Sequence, residues 1–203
     1  MKKTYFSFLL IAAAIITSSC VNSLYPISDN ENDFIFREEL LGKWADKDML
    51  PRMIIEKAAR KKYAVTIIDK TKNTNGNNIP VLDTSYFLCF MIELNGQQYV
   101  DCSVDINQPK YVRIAKDASS ALAPLHFIYK ISMISNDQLS VTGINFDSLK
   151  KFIAMYPDAV KNEELNEGPL MLKDDAAGLQ KNILTNEKAA FVFSEINIVN
   201  RIK

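Results

Sequence analysis

The chain has 203 residues, with 24 Lys and Arg balanced by 24 Asp and Glu, and a single histidine. Apolar residues make up 48%, enough for a packed core and too many for a disordered chain. Zero net charge leaves no basic excess to attract nucleic acid or anionic headgroups, and loss of Lys2 and Lys3 makes the mature chain slightly acidic; one histidine with three cysteines cannot assemble a His/Cys metal cluster.

The chain opens MKKTYFSFLLIAAAIITSSC. Lys2 and Lys3 form a positive start, Tyr5 to Ile16 an apolar run broken only by Ser7, and Thr17 to Ser19 a small-residue end. This is the layout of a secretory signal. The run is shorter than the roughly 20 residues a membrane-crossing helix needs. Two cuts compete. Ala12-Ala13-Ala14 offers a small-x-small site, but inside the apolar run. Ser18-Ser19-Cys20 lies past it and resembles the lipobox of bacterial lipoproteins, although Thr17 stands where Leu is commonest. That resemblance implies cleavage before Cys20, a diacylglyceryl group on its sulfur and a further acyl chain, such as palmitate, on its amine. Two or more chains give stable anchoring, where one binds only reversibly. Val21 stands where an inner-membrane retention signal has Asp, which points to the outer membrane. Removing residues 1–19 would leave about 184 residues, the size of one ordinary domain; the expected divisions are a signal peptide over 1–19, a lipidated N-terminus and tether over 20–36, and one domain over 37–203.

Val21 to Asp33 is polar, contains Pro26 and has no periodicity, so it reads as a spacer between membrane and domain. Its oxygen-rich stretch, Asp29 to Asp33, lacks the Gly and distal Glu of a calcium loop. Arg37 to Leu41 suits one helical turn before Gly42. Strand patterns follow at Met53 to Ala58 and Tyr63 to Asp69, then a loop of turn formers from Lys70 to Pro80. Val81 to Leu94 is the longest strand pattern, with Tyr86, Leu88, Phe90, Ile92 and Leu94 on one face. Asn95-Gly96 is a two-residue hairpin signal, because both centres of a type I′ turn need positive φ. Gln97 to Val104 returns. Further strands are expected at Tyr111 to Ala115, Leu125 to Ile134 and Leu139 to Ile144, the last two joined by a turn at Ser135 to Gln138. Phe146, Leu149, Phe152, Ile153 and Tyr156 share one helical face, and Pro157 ends it. Asp174 and Asp175 can open a second helix carrying Leu179, Ile183 and Leu184. Phe191 to Ile202 closes the chain as a strand. The pattern predicts a mainly β fold with some α content: an antiparallel meander barrel of about eight strands, with two short helices toward the C-terminus. An open sandwich is the alternative.

The hairpin fixes a register. Leu94 faces Gln97, Ile92 faces Tyr99, Phe90 faces Asp101, and Cys89 then faces Cys102. Alternation makes that last pair non-hydrogen-bonded, with Cα atoms about 4.5 Å apart. Outside the inner membrane the compartment is oxidising, which predicts a cross-strand disulfide. Two small buried hydrophobes is the other reading. Asp101 shares the face of Tyr99 and Phe90 and reads as a satisfied, inward carboxylate near a barrel rim. His126, beside Phe127, reads as structural.

Leu41-Gly42-Lys43-Trp44 at the first strand resembles the lipocalin signature, in which the tryptophan closes one barrel end under an arginine from a late strand. Trp44 is the only tryptophan, and Arg201 in the last strand is the corresponding arginine. Ser23-Leu24-Tyr25-Pro26-Ile27, Leu94-x-Gly96-x-x-Tyr99-x-Asp101 and His126-Phe127 extend the likeness to uncharacterised bacterial lipoproteins with a lipocalin-like domain. The resemblance implies an eight-stranded calycin-type barrel and no established activity. Three functions follow as expectations. One is a module for a small hydrophobic ligand. Another is an envelope interaction protein whose barrel is filled by large side chains (Phe87, Phe90, Tyr99, Phe127, Tyr129). The third is an enzyme, for which no nucleophile elbow, phosphate loop or metal motif is present in the sequence. No catalytic residue, cofactor or metal is expected. The expected partners are the membrane, through lipid on Cys20, and either a small ligand or an envelope protein.

Overall fold

The computed structural model describes residues 21–46, 51–72, 80–108, 125–164 and 170–202. Eleven strands are present: β1 (Val21–Ser23), β2 (Gly42–Ala45), β3 (Pro51–Lys57), β4 (Lys62–Lys72), β5 (Pro80–Leu94), β6 (Gln97–Val104), β7 (His126–Ser135), β8 (Gln138–Ile144), β9 (Asn162–Glu164), β10 (Leu170–Leu172) and β11 (Phe193–Ile202). β2 to β8 form an antiparallel meander, and β11 pairs with both β8 and β2 to close it. The result is a closed barrel of eight strands, which leaves none of them with a free edge along its whole length. Closure sets aside the open sandwich. The expected strand Tyr111 to Ala115 lies outside the described residues.

The β5–β6 turn has the backbone its sequence demands. Asn95 and Gly96 both take positive φ, 50° and 71°. The predicted register follows, with Leu94 opposite Gln97 and Cys89 opposite Cys102. The two cysteines form a disulfide across a Cα separation of 4.1 Å. On the other side of β5, Lys70 to Lys72 pair with Pro80 to Leu82. The strands therefore run further than the expected loop over Lys70 to Pro80, because cross-strand backbone bonds outweigh the turn preferences of single residues.

The long connection from β8 to β11 carries the helices. α1 (Phe146–Met155) is capped by Asn145, whose side chain accepts from the Ser148 N–H, and it buries Leu149 and Phe152. α2 (Ala176–Leu179) is capped by Asp175 and continues into one π-helical turn, Gln180–Leu184. These elements cover the outside of the barrel wall at β5, β6 and β7. Two cores result. Trp44, Tyr63, Val65, Phe87, Cys89 and Leu139 fill the inner one. The outer core joins Ile92, Tyr99 and Ile128 of the wall to Leu149, Phe152, Leu179 and Ile183.

The N-terminal segment departs from expectation. Val21 to Phe36 is not a solvated spacer: together with Arg37 and the 3-10 turn Glu38–Leu40 it forms a strap docked on the barrel. β1 pairs in parallel with β10, and Ser23 pairs with His126 of β7. Val21, Ile27 and Phe34 are buried in the outer core, and Phe34 stacks on Phe90 at 4.1 Å between ring centroids. The Ile35 N–H donates to the Met91 carbonyl at 2.8 Å. That carbonyl lies where β5 has run past the start of β4, so the strap satisfies an edge the barrel leaves open. The oxygen-rich stretch forms a 3-10 turn, Glu31–Asp33, tied to the barrel by the Glu31–Lys62 ion pair at 2.9 Å.

The disulfide closes a loop with a sequence separation of 13, for which chain entropy gives about 3 kcal/mol. The paired change Cys89→Ala with Cys102→Ala is expected to lower unfolding free energy by about 2–4 kcal/mol in urea titration. An unchanged midpoint would contradict it.

Candidate functional site

One barrel end is sealed by Gly42, Trp44 and Arg201. Trp44 is fully buried, and its indole N–H donates to the Leu40 carbonyl at 2.9 Å. Arg201 lies opposite Trp44 across the β2–β11 pair. Its guanidinium carbon stands 4.4 Å from the ring centroid, a cation–π contact worth about 0.5–2 kcal/mol. The same guanidinium donates to the Leu41 carbonyl at 2.6 Å, the Asn136 carbonyl at 3.0 Å and the Glu39 carbonyl. It thus ties the strap, β2 and the β7–β8 turn together. Gly42 holds φ at 130°, and a Cβ there would come within 2.8 Å of Arg201 Nη1. Only glycine leaves room for that fork.

Above this seal the barrel encloses a cavity of about 90 Å³. Leu40 of the strap, Val65, Phe87, Phe127 and Leu139 line it, and the Cys89–Cys102 disulfide forms part of the wall. Among the described residues, the wall presents no polar atom to the cavity. The Tyr63 hydroxyl accepts from the Arg37 N–H at 2.6 Å in the strap. Of the large side chains expected inside, Phe87, Phe127 and Tyr129 line the cavity. Phe90 and Tyr99 do not. They face outward into the other core, because inward positions alternate and Cys89 and Val100 take them.

Asp101 is likewise outward, against the expectation of an inward rim carboxylate. It is 1% exposed beneath the strap. Its Oδ2 accepts from the Ile27 N–H at 2.8 Å, and its Oδ1 lies 2.7 Å from His126 Nδ1. The Ile27 carbonyl in turn accepts from Gln180 Nε2 at 2.7 Å. One residue of the strap is therefore gripped at its N–H from the barrel and at its carbonyl from the helical insertion. Ser23, cross-strand from His126, completes the residue types of a nucleophilic triad. Its hydroxyl instead donates to the Tyr25 carbonyl at 2.7 Å. A base must reach the nucleophile's proton directly or through one water, and here that proton is engaged with a carbonyl. The trio holds structure together.

Two tyrosines titrate late. Burial raises the Tyr63 hydroxyl above its ordinary value, partly offset by the Arg37 backbone, and burial raises Tyr99. Tyr99 also donates to the Leu184 carbonyl at 2.7 Å, joining the wall to the π-turn. Cys20, the expected lipidation site, lies outside the described residues, one peptide bond from Val21. Ile27 entered the sequence analysis only within a motif of the resemblance, and neither it nor Gln180 received a role there, since their roles depend on partners 74 and 153 residues away.

No protein-family model, no curated protein and no solved structure matches this chain.

Asp101→Ala leaves the Ile27 N–H and His126 without their shared acceptor and is expected to cost about 2–4 kcal/mol. Urea unfolding checks it; a loss below that of an ordinary surface change would remove Asp101 from this role. The tyrosines set an alkaline limit. Their folded-state pKa values lie above the unfolded ones, so their contribution is whole below about pH 10 and is lost as pH rises through the folded values. Phenolate absorbance of the folded protein should therefore lag that of the urea-unfolded chain. Tyr99→Phe should remove part of the lag and about 1 kcal/mol of stability.

Proposed function

We propose that this chain is a lipid-anchored protein of the bacterial envelope, held through acyl groups on Cys20, with a barrel that takes up the end of a slender apolar ligand. The leader ending in Ser18-Ser19-Cys20 carries the first half of this reading, and Val21 after the cysteine favours the outer membrane. The Cys89–Cys102 disulfide supports it, since such bonds persist in oxidising compartments outside the inner membrane.

The second half rests on one observation, the wholly apolar cavity of about 90 Å³ inside the barrel. Drug-sized ligands occupy pockets of about 300–1,000 Å³, so such a molecule does not fit inside. An engineered dry cavity of about 150 Å³ accepts benzene or xenon, and the end of a hydrocarbon chain has a similar cross-section. With no polar atom in the wall, selectivity would come from width and shape alone, and any polar head would remain outside. The small volume also favours a second reading, an envelope interaction module whose barrel is filled by its own side chains.

Lauric and decanoic acids, with xenon as a small probe, separate the two in native mass spectrometry and thermal shift of the Cys20→Ser protein. The binding reading expects a retained or added mass and a raised melting temperature. Val65→Phe, which fills the cavity, should weaken uptake by at least about tenfold, equivalent to about 1.4 kcal/mol. Val141→Leu is the milder change if Val65→Phe does not fold. Clean unliganded masses with no shift for any probe would leave the filled barrel. Acylation is read separately, from the mass of the N-terminal peptide of the membrane-extracted chain.

A further inference from the structure

We infer that the anchor has no leash: the barrel is mounted directly on the lipid surface, with the end of the β1–β10 pair at Val21 and Leu170 set at the headgroups. This rests on the lipid-anchor reading above and specifies its geometry.

The argument begins where the docked chain begins. Val21, Asn22 and Ser23 are at most 8% exposed. β1 pairs residue for residue with β10, Val21 with Leu170 through Ser23 with Leu172, and touches β7 on its other side. The Leu24 N–H continues the ladder to the Leu172 carbonyl at 2.9 Å. Ile27 is then held at both its N–H and its carbonyl, by Asp101 and Gln180. The strap has no free length between Val21 and the barrel.

Magnitudes separate a mount from a leash. A flexible tether over Val21 to Asp33 would let the domain wander about 20 Å from its anchor. A single residue reaches at most about 3.6 Å. Each headgroup layer is about 5–8 Å thick, from the difference between total and hydrocarbon thickness. With the acyl groups on Cys20 seated in the hydrocarbon, Val21 stands no higher than the headgroup layer. The full chain's net charge is zero and loss of Lys2 and Lys3 with the leader leaves the anchored chain slightly acidic, so no net positive charge draws it to anionic lipid; the short covalent link sets the orientation. The partner surface is therefore a bilayer, met at one end of a small sheet rather than through a basic patch.

The chain supplies its own reporter. Trp44 is its only tryptophan, fully buried and clamped by the Leu40 carbonyl and Arg201. It tumbles with the domain. The full-length, acylated protein is reconstituted in vesicles of phosphatidylethanolamine and phosphatidylglycerol carrying a dansyl-labelled headgroup. A variant carries about twelve Gly and Ser residues between Cys20 and Val21, a spacer of about 20 Å root-mean-square reach. Neither protein loses a docked contact, so both keep the fold. The mount predicts an energy transfer from Trp44 at least about twofold stronger than in the spacer variant, together with loss of independent domain rotation in fluorescence anisotropy. Equal transfer and equal rotation in the two acylated proteins would overturn the mount while leaving the anchor intact. Absence of acyl groups on Cys20, read by mass before reconstitution, would overturn both.

Discussion

A sheet residue can face only one side, and at the β5–β6 hairpin that constraint decides the rest of the molecule. Asn95 and Gly96 fix the register, and Cys89 then meets Cys102 inside the barrel. Every second residue must consequently face outward: Phe90 and Ile92 on β5, Tyr99 and Asp101 on β6. A slip of one residue would exchange the two sets. It would bring Asp101 into an apolar interior, where an unpaired carboxylate is prohibitively costly, and would leave the outer core without its wall. The disulfide holds the register covalently on one side, and the packed strap and helices hold it on the other.

From Cys89 to Ile92 this hairpin wall is covered on both faces, whereas Leu88 stays exposed; most antiparallel sheets keep one face solvated. The run Phe87 to Ile92 is accordingly apolar without alternation. Two-sided burial also explains why the outer layer is built from such short pieces. β1, β9 and β10 have three residues each and would not hold as a free sheet. They persist because Val21, Leu170 and Leu172 also sink into the outer core beside Phe152 and Leu179. Asp101 adds direction to that apolar contact. Its two acceptor atoms choose one peptide of the strap and one histidine of β7, so the strap docks in one register rather than sliding along a greasy surface.

What was legible in the sequence divides along the same line. Features coded by neighbours were readable: the Asn95-Gly96 turn and its register, the apolar face of α1 with Pro157 beyond it, the Asp175 cap, and the strands of the meander. The juxtaposition of Trp44 and Arg201 was accessible through a resemblance, since nothing local relates residues so far apart. Features coded by distant partners were not readable. Val21 to Asp33 has no periodicity because its residues answer to different surfaces: Val21 to β10, Ile27 to Asp101 and Gln180, Glu31 to Lys62. A segment of that kind is indistinguishable from a linker until the surface it fits is known. Asp101 was assigned to the wrong side for a related reason. Its neighbours Tyr99 and Phe90 are apolar, and in a barrel with a single core apolar means inward. The second core breaks that rule.

The arrangement bears on how the interior can be reached. At the lower end, Arg201 grips three carbonyls, Trp44 lies beneath it, and Leu40 of the strap enters the inner core. Along β5, β6 and β7 the wall carries the outer core and, inside, the disulfide. Neither region opens without losing several packed contacts and hydrogen bonds at once. The opposite end is built differently. β6 ends at Val104, opposite Phe87, while β4 and β5 continue to pair up to Lys72 and Pro80. Among the described residues, β4 and β5 thus pair further along their length than β5 and β6 do. The interior is therefore held in shape from the end that Arg201 and Trp44 tie, and by the disulfide in its wall.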